Sequence, residues 1–77
     1  MKEYMIPIGN RIASEIKRTG LTQEQVGKAL GVSHQAVSRW CCANKGISVK
    51  NLMQLCLLLD CSADYILFGG RIDGPIH

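Results

Sequence analysis

Residues 23–42 read Gln-Glu-Gln-Val-Gly-Lys-Ala-Leu-Gly-Val-Ser-His-Gln-Ala-Val-Ser-Arg-Trp-Cys-Cys, and this stretch decides the fold. Two short amphipathic segments meet across Gly31-Val32-Ser33. The first opens on Thr22 with Gln25 three residues later, a capping-box spacing in which each side chain can satisfy the other residue's free backbone N–H. Gly31 suits a turn that needs positive φ. Ser33 then caps a second helix carrying Val37 and Trp40 on its inner side. Two helices crossing steeply through so short a turn need a small residue where they approach, and Gly27 stands mid-way along the first despite costing about 1 kcal/mol against Ala in a helix interior. Val26, Leu30 and Val32 on one side, with Val37 and Trp40 on the other, supply the apolar lock. The spacing therefore predicts a helix-turn-helix over residues 23–42.

Outward from this unit the punctuation is helical throughout. Ile8, Ile12 and Ile16 recur every four residues with Ala13 beside them, which predicts a first helix with Pro7 at its first position and Thr19-Gly20 as its stop. The pattern of the second helix runs through Val26, Ala29 and Leu30. Residues 44–46, Asn-Lys-Gly, read as a loop. Ser48 caps a fourth helix that turns Leu52, Leu55, Cys56 and Leu59 inward, and Ser62 caps a short fifth with Ile66 and Leu67 inward before Gly69-Gly70. The expected fold is all-α, a compact bundle of five short helices over residues 1–69, followed by a flexible Gly/Pro-containing tail at 70–77.

Composition bounds the function. With 77 residues, 47% of them hydrophobic, the chain is one small folding domain. Its net charge of +3 is modest, but between Gln23 and Asn51 the cations Lys28, Arg39, Lys45 and Lys50 face one acid, Glu24, whereas Asp60, Asp64 and Asp73 fall in the last third. No run approaches the roughly 18 apolar residues of a membrane span, and the N-terminus has no secretory pattern. Cys41 and Cys42 are adjacent, unlike paired zinc ligands, and Cys56 and Cys61 lie in an apolar helical pattern; reduced thiols in the cytoplasm are expected, with no metal and no cofactor. His34 and Cys41 share a helix face without a cleft, so catalysis is not expected.

The stretches Thr22-Gln-Glu-Gln-Val, Gly31-Val-Ser, Gln35-Ala-Val-Ser-Arg-Trp and Leu52 to Phe68 resemble the lambda-repressor-like family of phage and bacterial regulators, over residues 8–68. The resemblance implies a five-helix bundle, double-stranded DNA as partner, a two-fold homodimer, and a site of action in the bacterial cytoplasm or nucleoid. Relatives often follow Ser-Arg-Trp with Glu and a basic residue; here Cys41-Cys42 stand instead, which removes any salt bridge or phosphate contact from those two positions. At the start of the second helix, Gln23 is expected by the same resemblance to bind a phosphate.

In a helix-turn-helix the second helix enters the major groove. The expected base-contacting residues are His34, Gln35, Ala36, Ser38 and Arg39: Gln pairs bidentately with adenine, Arg with guanine, and Ala36 is short enough to meet a thymine methyl. Ser33, Asn44 and Lys45 join Gln23 as phosphate candidates. Lys28 and Lys50 suit general electrostatics, and helical spacing from Val37 assigns Trp40 to the core rather than to base stacking. On the fourth helix Met53 and Leu57 project opposite the core stripe, and with Leu58 and Phe68 they form the expected dimer surface. The function expected is operator binding by a dimeric transcriptional regulator with no small-molecule effector. The alternative is a protein-binding module of the same fold, as in antitoxins or coactivators, which salt dependence distinguishes from DNA binding.

Overall fold

The computed structural model describes residues 5–42 and 46–69. Five helices follow one another: α1 (Met5–Thr19), α2 (Gln23–Leu30), α3 (His34–Cys41), α4 (Val49–Leu59) and α5 (Ala63–Phe68). Four of the five open on the hydroxyl residues expected. Thr22 accepts from the Gln25 N–H while the Gln25 side chain accepts from the Thr22 N–H, at 3.0 and 2.9 Å, so the capping box is complete. Ser33, Ser48 and Ser62 each accept from the N–H three residues on. Each such cap contributes about 1 kcal/mol, and helices this short need it.

The core is one cluster: Ile12 and Ile16 of α1, Val26 of α2, Val37 and Trp40 of α3, Leu52, Leu55 and Leu59 of α4, and Ile66 of α5. Every helix contributes to it, and α1 packs against α3, α4 and α5, so it is the central member of the bundle. Ile8, Leu30, Val32, Cys56 and Leu67 cover the rim of this cluster rather than its centre. Two expectations are corrected. Ala29 is exposed, because around the helix it stands about 100° from Leu30 and about 160° from the buried Gly27. Pro7 is not the first residue of α1, since Met5 and Ile6 ahead of it are already helical. The expected tail lies outside the described residues.

The α2–α3 turn is the tightest point. Gly31 has φ 76°, and it and Val32 return their N–H groups to the carbonyls of Lys28 and Gly27, closing the end of α2 in a Schellman motif. This folds the turn back over Gly27. A Cβ placed on Gly27 would stand 2.8 Å from the carbonyl oxygen of Val32 and 3.3 Å from the backbone of Ser33. The small residue is therefore required by the backbone of the turn, immediately before α3.

Two arginines of α1 hold the far end of the bundle. Arg11 donates to the carbonyls of Ile66 at 2.8 Å and Leu67 at 3.0 Å, the last turn of α5. Arg18 donates to the Leu59 carbonyl at the end of α4 at 2.8 Å and to Glu15 at 2.8 Å. Helix C-termini leave carbonyls without partners, and a cation there also meets the negative end of the helix dipole.

Two predictions follow from these contacts. Gly27→Ala should lower Tm although Ala is the better helix former by about 1 kcal/mol, because the methyl meets fixed backbone; a raised Tm in thermal denaturation would refute the close approach. Arg11→Met keeps the aliphatic stem but strands the α5 carbonyls, which should cost about 1–3 kcal/mol in denaturant unfolding, whereas Lys17→Met on the exposed side of α1 should cost less than about 0.5.

Candidate nucleic-acid interface

With Val37 fully buried and Trp40 nearly so, α3 has one rotation left to it, and that rotation fixes which residues face outward. His34, Gln35 and Arg39 are exposed along one side of it. Ala36 and Ser38 are half-buried. Around the helix Ser38 stands between His34 and Gln35, and its carbonyl receives the Cys42 N–H that closes the helix. The outward set therefore carries an imidazole, an amide and a guanidinium, donors and acceptors of the kinds that match base edges.

Around this helix the sites for phosphate are partly visible. Gln23 is the first residue of α2 and half-buried, and Ser33 is exposed at the start of α3 with its hydroxyl engaged by the Ala36 N–H. Asn44 and Lys45, the other two candidates, lie outside the described residues. Lys28 and Lys50 are both exposed. A cleft between α3 and the start of α4 is lined by Ala36, Arg39, Trp40, Gly46, Ser48 and Asn51, so Arg39 stands at its edge beside the N-terminus of α4.

One approach was not foreseen. The Cys41 thiol, at the end of α3, comes near the Gln23 side chain at the start of α2; burial pushes the thiol upward, the neighbouring Cys42 adds to this, and the Gln23 amide opposes both. Cys41 thus adjoins the side chain expected to meet a phosphate. Spacing within either helix carries no sign of it, because the partners are brought together by the crossing of the two helices.

The expected dimer residues are exposed: Met53 by 61%, Leu57 by 81%, Leu58 by 37% and Phe68 by 53%. They do not form a single row. Met53 and Leu57 share a stripe with Val49, which is 74% exposed and was missed because it opens the helix, while Leu58 is turned by about 100° from Leu57. All four cysteines are free thiols. Among the described residues no group of three or more His, Cys, Asp or Glu side chains could hold a metal, and no helix is long and apolar enough to cross a membrane.

Comparison with known proteins agrees with this architecture. The helix-turn-helix family pattern matches residues 12–66. The HTH-type transcriptional regulator DicA of Escherichia coli is 39% identical over 75 residues, covering 97% of this chain and 56% of its own length. Repressor protein C2 of Salmonella phage P22 is 37% identical over 62 residues, covering 80% of this chain and 29% of its own. The crystal structure of the P22 c2 repressor in complex with a synthetic operator superposes with a TM-score of 0.76, 37% identity, and coverage of 80% of this chain and 94% of that one. The restriction-modification controller protein C.AhdI of Aeromonas hydrophila shares the fold with a TM-score of 0.74 at 23% identity, over 83% of this chain and 96% of its own. The chain spans about half or less of the length of the two regulators it matches in sequence. With its capped α2–turn–α3 unit and this match across most of its length, the chain belongs to the helix-turn-helix family.

Proposed function

We propose that this domain binds operator DNA as the reading head of a transcriptional regulator, with α3 in the major groove. The observation that carries this is the exposed row His34, Gln35 and Arg39 on a helix whose other side is locked into the core by Val37 and Trp40. The relative whose structure was solved on a synthetic operator supports it.

A groove about 12 Å wide accepts the helix, and the side chains near its N-terminus reach furthest. Gln35 would read adenine and Arg39 guanine; His34, Ala36 and Ser38 would make the shorter contacts. Gln23, Ser33, Asn44 and Lys45 would hold phosphates on either side and fix the register, with the free N–H groups opening α2 aiding Gln23. The partner is double-stranded DNA, and the site of action is the cytoplasm or nucleoid. Specificity would rest on α3, and salt-dependent affinity on the flanking amides and cations.

Two copies would be joined through the exposed apolar side chains of α4 and α5, Met53, Leu57, Leu58 and Phe68, with Val49 extending the stripe. A row of exposed apolar residues at four-residue spacing is costly on a solvated helix and suits a partner's surface. Two-fold pairing sets the recognition helices about 34 Å apart, one DNA turn. The same stripe also fits the alternative of a domain that docks on another protein.

Binding to a random-library-selected operator, measured by fluorescence anisotropy across salt concentrations, tests the main reading. The expected result is a steep linear fall of log affinity with log salt, and a loss of about 1–3 kcal/mol for Arg39→Ala that relaxes preference at one base pair. A flat salt response, or no selected sequence, would favour the protein-docking alternative. For the pairing, Met53→Lys with Leu57→Lys should leave circular dichroism unchanged, make the free protein monomeric in sedimentation equilibrium, and weaken binding to a full palindrome more than to a half-site. A wild type that is monomeric at high concentration and occupies the palindrome one chain at a time would end the pairing proposal.

A further inference from the structure

We propose that Cys56 and Cys61 are a reversible dithiol–disulfide pair, a modification site at the α4–α5 turn whose oxidant is a low-molecular-weight disulfide of the glutathione class. The inference is independent of DNA binding, since the pair lies at the C-terminal end of α4, on neither helix of the α2–turn–α3 unit.

The backbone builds the pair. Asp60 takes the left-handed conformation, φ 54° and ψ 50°, and it alone among the described non-glycine residues has positive φ. That turn sends the Cys61 N–H back to the Cys56 carbonyl at 3.1 Å, while the Asp60 N–H reaches the same carbonyl. The pattern is a Schellman closure in which Cys56 and Cys61 occupy the two positions whose side chains touch across the helix end. In most helices those two positions carry a hydrophobic pair; here they carry two thiols, brought to the same helix end by the backbone closure and near enough to perturb one another. Both residues are half-buried against the core, with Glu15 and Arg18 as the charged neighbours of Cys61.

This geometry favours ring closure over a mixed disulfide. Two thiols held near one another by a folded backbone meet at an effective concentration far above that of a cellular thiol. Burial pushes both thiols upward, Cys61 to about 11, and the nearby Cys61 thiol partly offsets the rise at Cys56. With Cys56 as the attacking sulfur, the exchange balances. The Cys56 thiolate displaces one RS⁻ from RSSR, forming Cys56–S–SR; Cys61, losing its proton, then attacks the Cys56 sulfur and displaces the second RS⁻. One S–S bond is broken and one formed, two electrons pass from the cysteine pair to RSSR, and both thiol protons leave on two RSH. Raised pKa values leave little thiolate near neutral pH and make each step slow there.

The test uses the full chain with Cys41→Ser and Cys42→Ser, equilibrated in glutathione buffers of graded oxidation, both folded and in concentrated urea. After acid quenching, intact mass and peptide mapping identify the products. The expected result is loss of two hydrogens with a Cys56–Cys61 linked peptide, and an equilibrium constant for closure at least tenfold larger in the folded chain than in urea. Accumulation of a glutathione adduct on either cysteine in the folded chain, or equal constants in the two states, would overturn the proposal. The wild-type chain under the same conditions should yield the same 56–61 linkage; a linkage from Cys56 or Cys61 to Cys41 or Cys42 instead would count equally against it.

Discussion

Everything on the outward side of this domain depends on how closely the turn before α3 can lie against α2. The carbonyl of Val32 sits where a side chain on Gly27 would begin, and no other residue type leaves that space open. Because the turn is pressed so close, its own N–H groups can return to the last carbonyls of α2, and the chain leaves Ser33 already aimed into a new helix. The direction of α3 is thus set by backbone before any side chain of α3 packs. Val37 and Trp40 then fix its rotation, and the exposed positions of His34, Gln35 and Arg39 are what remains.

The other half of the bundle is arranged by a different force. Helices α4 and α5 are joined by a short turn and meet α1 along a modest apolar strip, so their ends would be loosely held by packing alone. Arg11 and Arg18 attach both C-termini to α1 through charge-assisted hydrogen bonds to carbonyls that have no partner in their own helices. The long first helix, with Ile12 and Ile16 inward and these arginines at its flanks, is therefore both core and clamp. An aliphatic residue at either place would keep the contact area and lose the direction.

Legibility in the sequence divides along the same line. The features that were readable are local: four hydroxyl caps, one capping box, Gly31, and apolar residues at helical spacing that end in the observed core. Each depends on residues no more than a turn or two apart, so the pattern carries the physics. The clamps were not readable, because Arg11 and its partners Ile66 and Leu67 are separated by more than fifty residues and an arginine on a helix flank looks the same with or without a distant carbonyl. The approach of Cys41 to Gln23 failed to appear for the same reason. Ala29 and Pro7 mark a second limit, since periodicity fixes a stripe better than it fixes the width of that stripe or the first residue of a helix. For the candidate interface, the outward row of α3 was legible once Val37 was assigned inward.

The division of the surface follows from these constraints together. On α3 the chain places polar groups where packing leaves it free, whereas on α4 it places Val49, Met53 and Leu57 where packing leaves it equally free. Three exposed apolar residues on one stripe of an eleven-residue helix contribute nothing to this domain's own core, since Leu52, Leu55 and Leu59 already occupy the inner side. The proposed pairing would cover them, at positions where charge would otherwise serve solubility better. The polar row and the apolar stripe lie on helices joined through a common core, so whatever seats itself on α4 also sets where α3 is presented. Recognition of DNA by α3 and pairing through α4 are on this reading one geometric problem: the core that turns Val37 inward and Leu55 inward determines both faces at once.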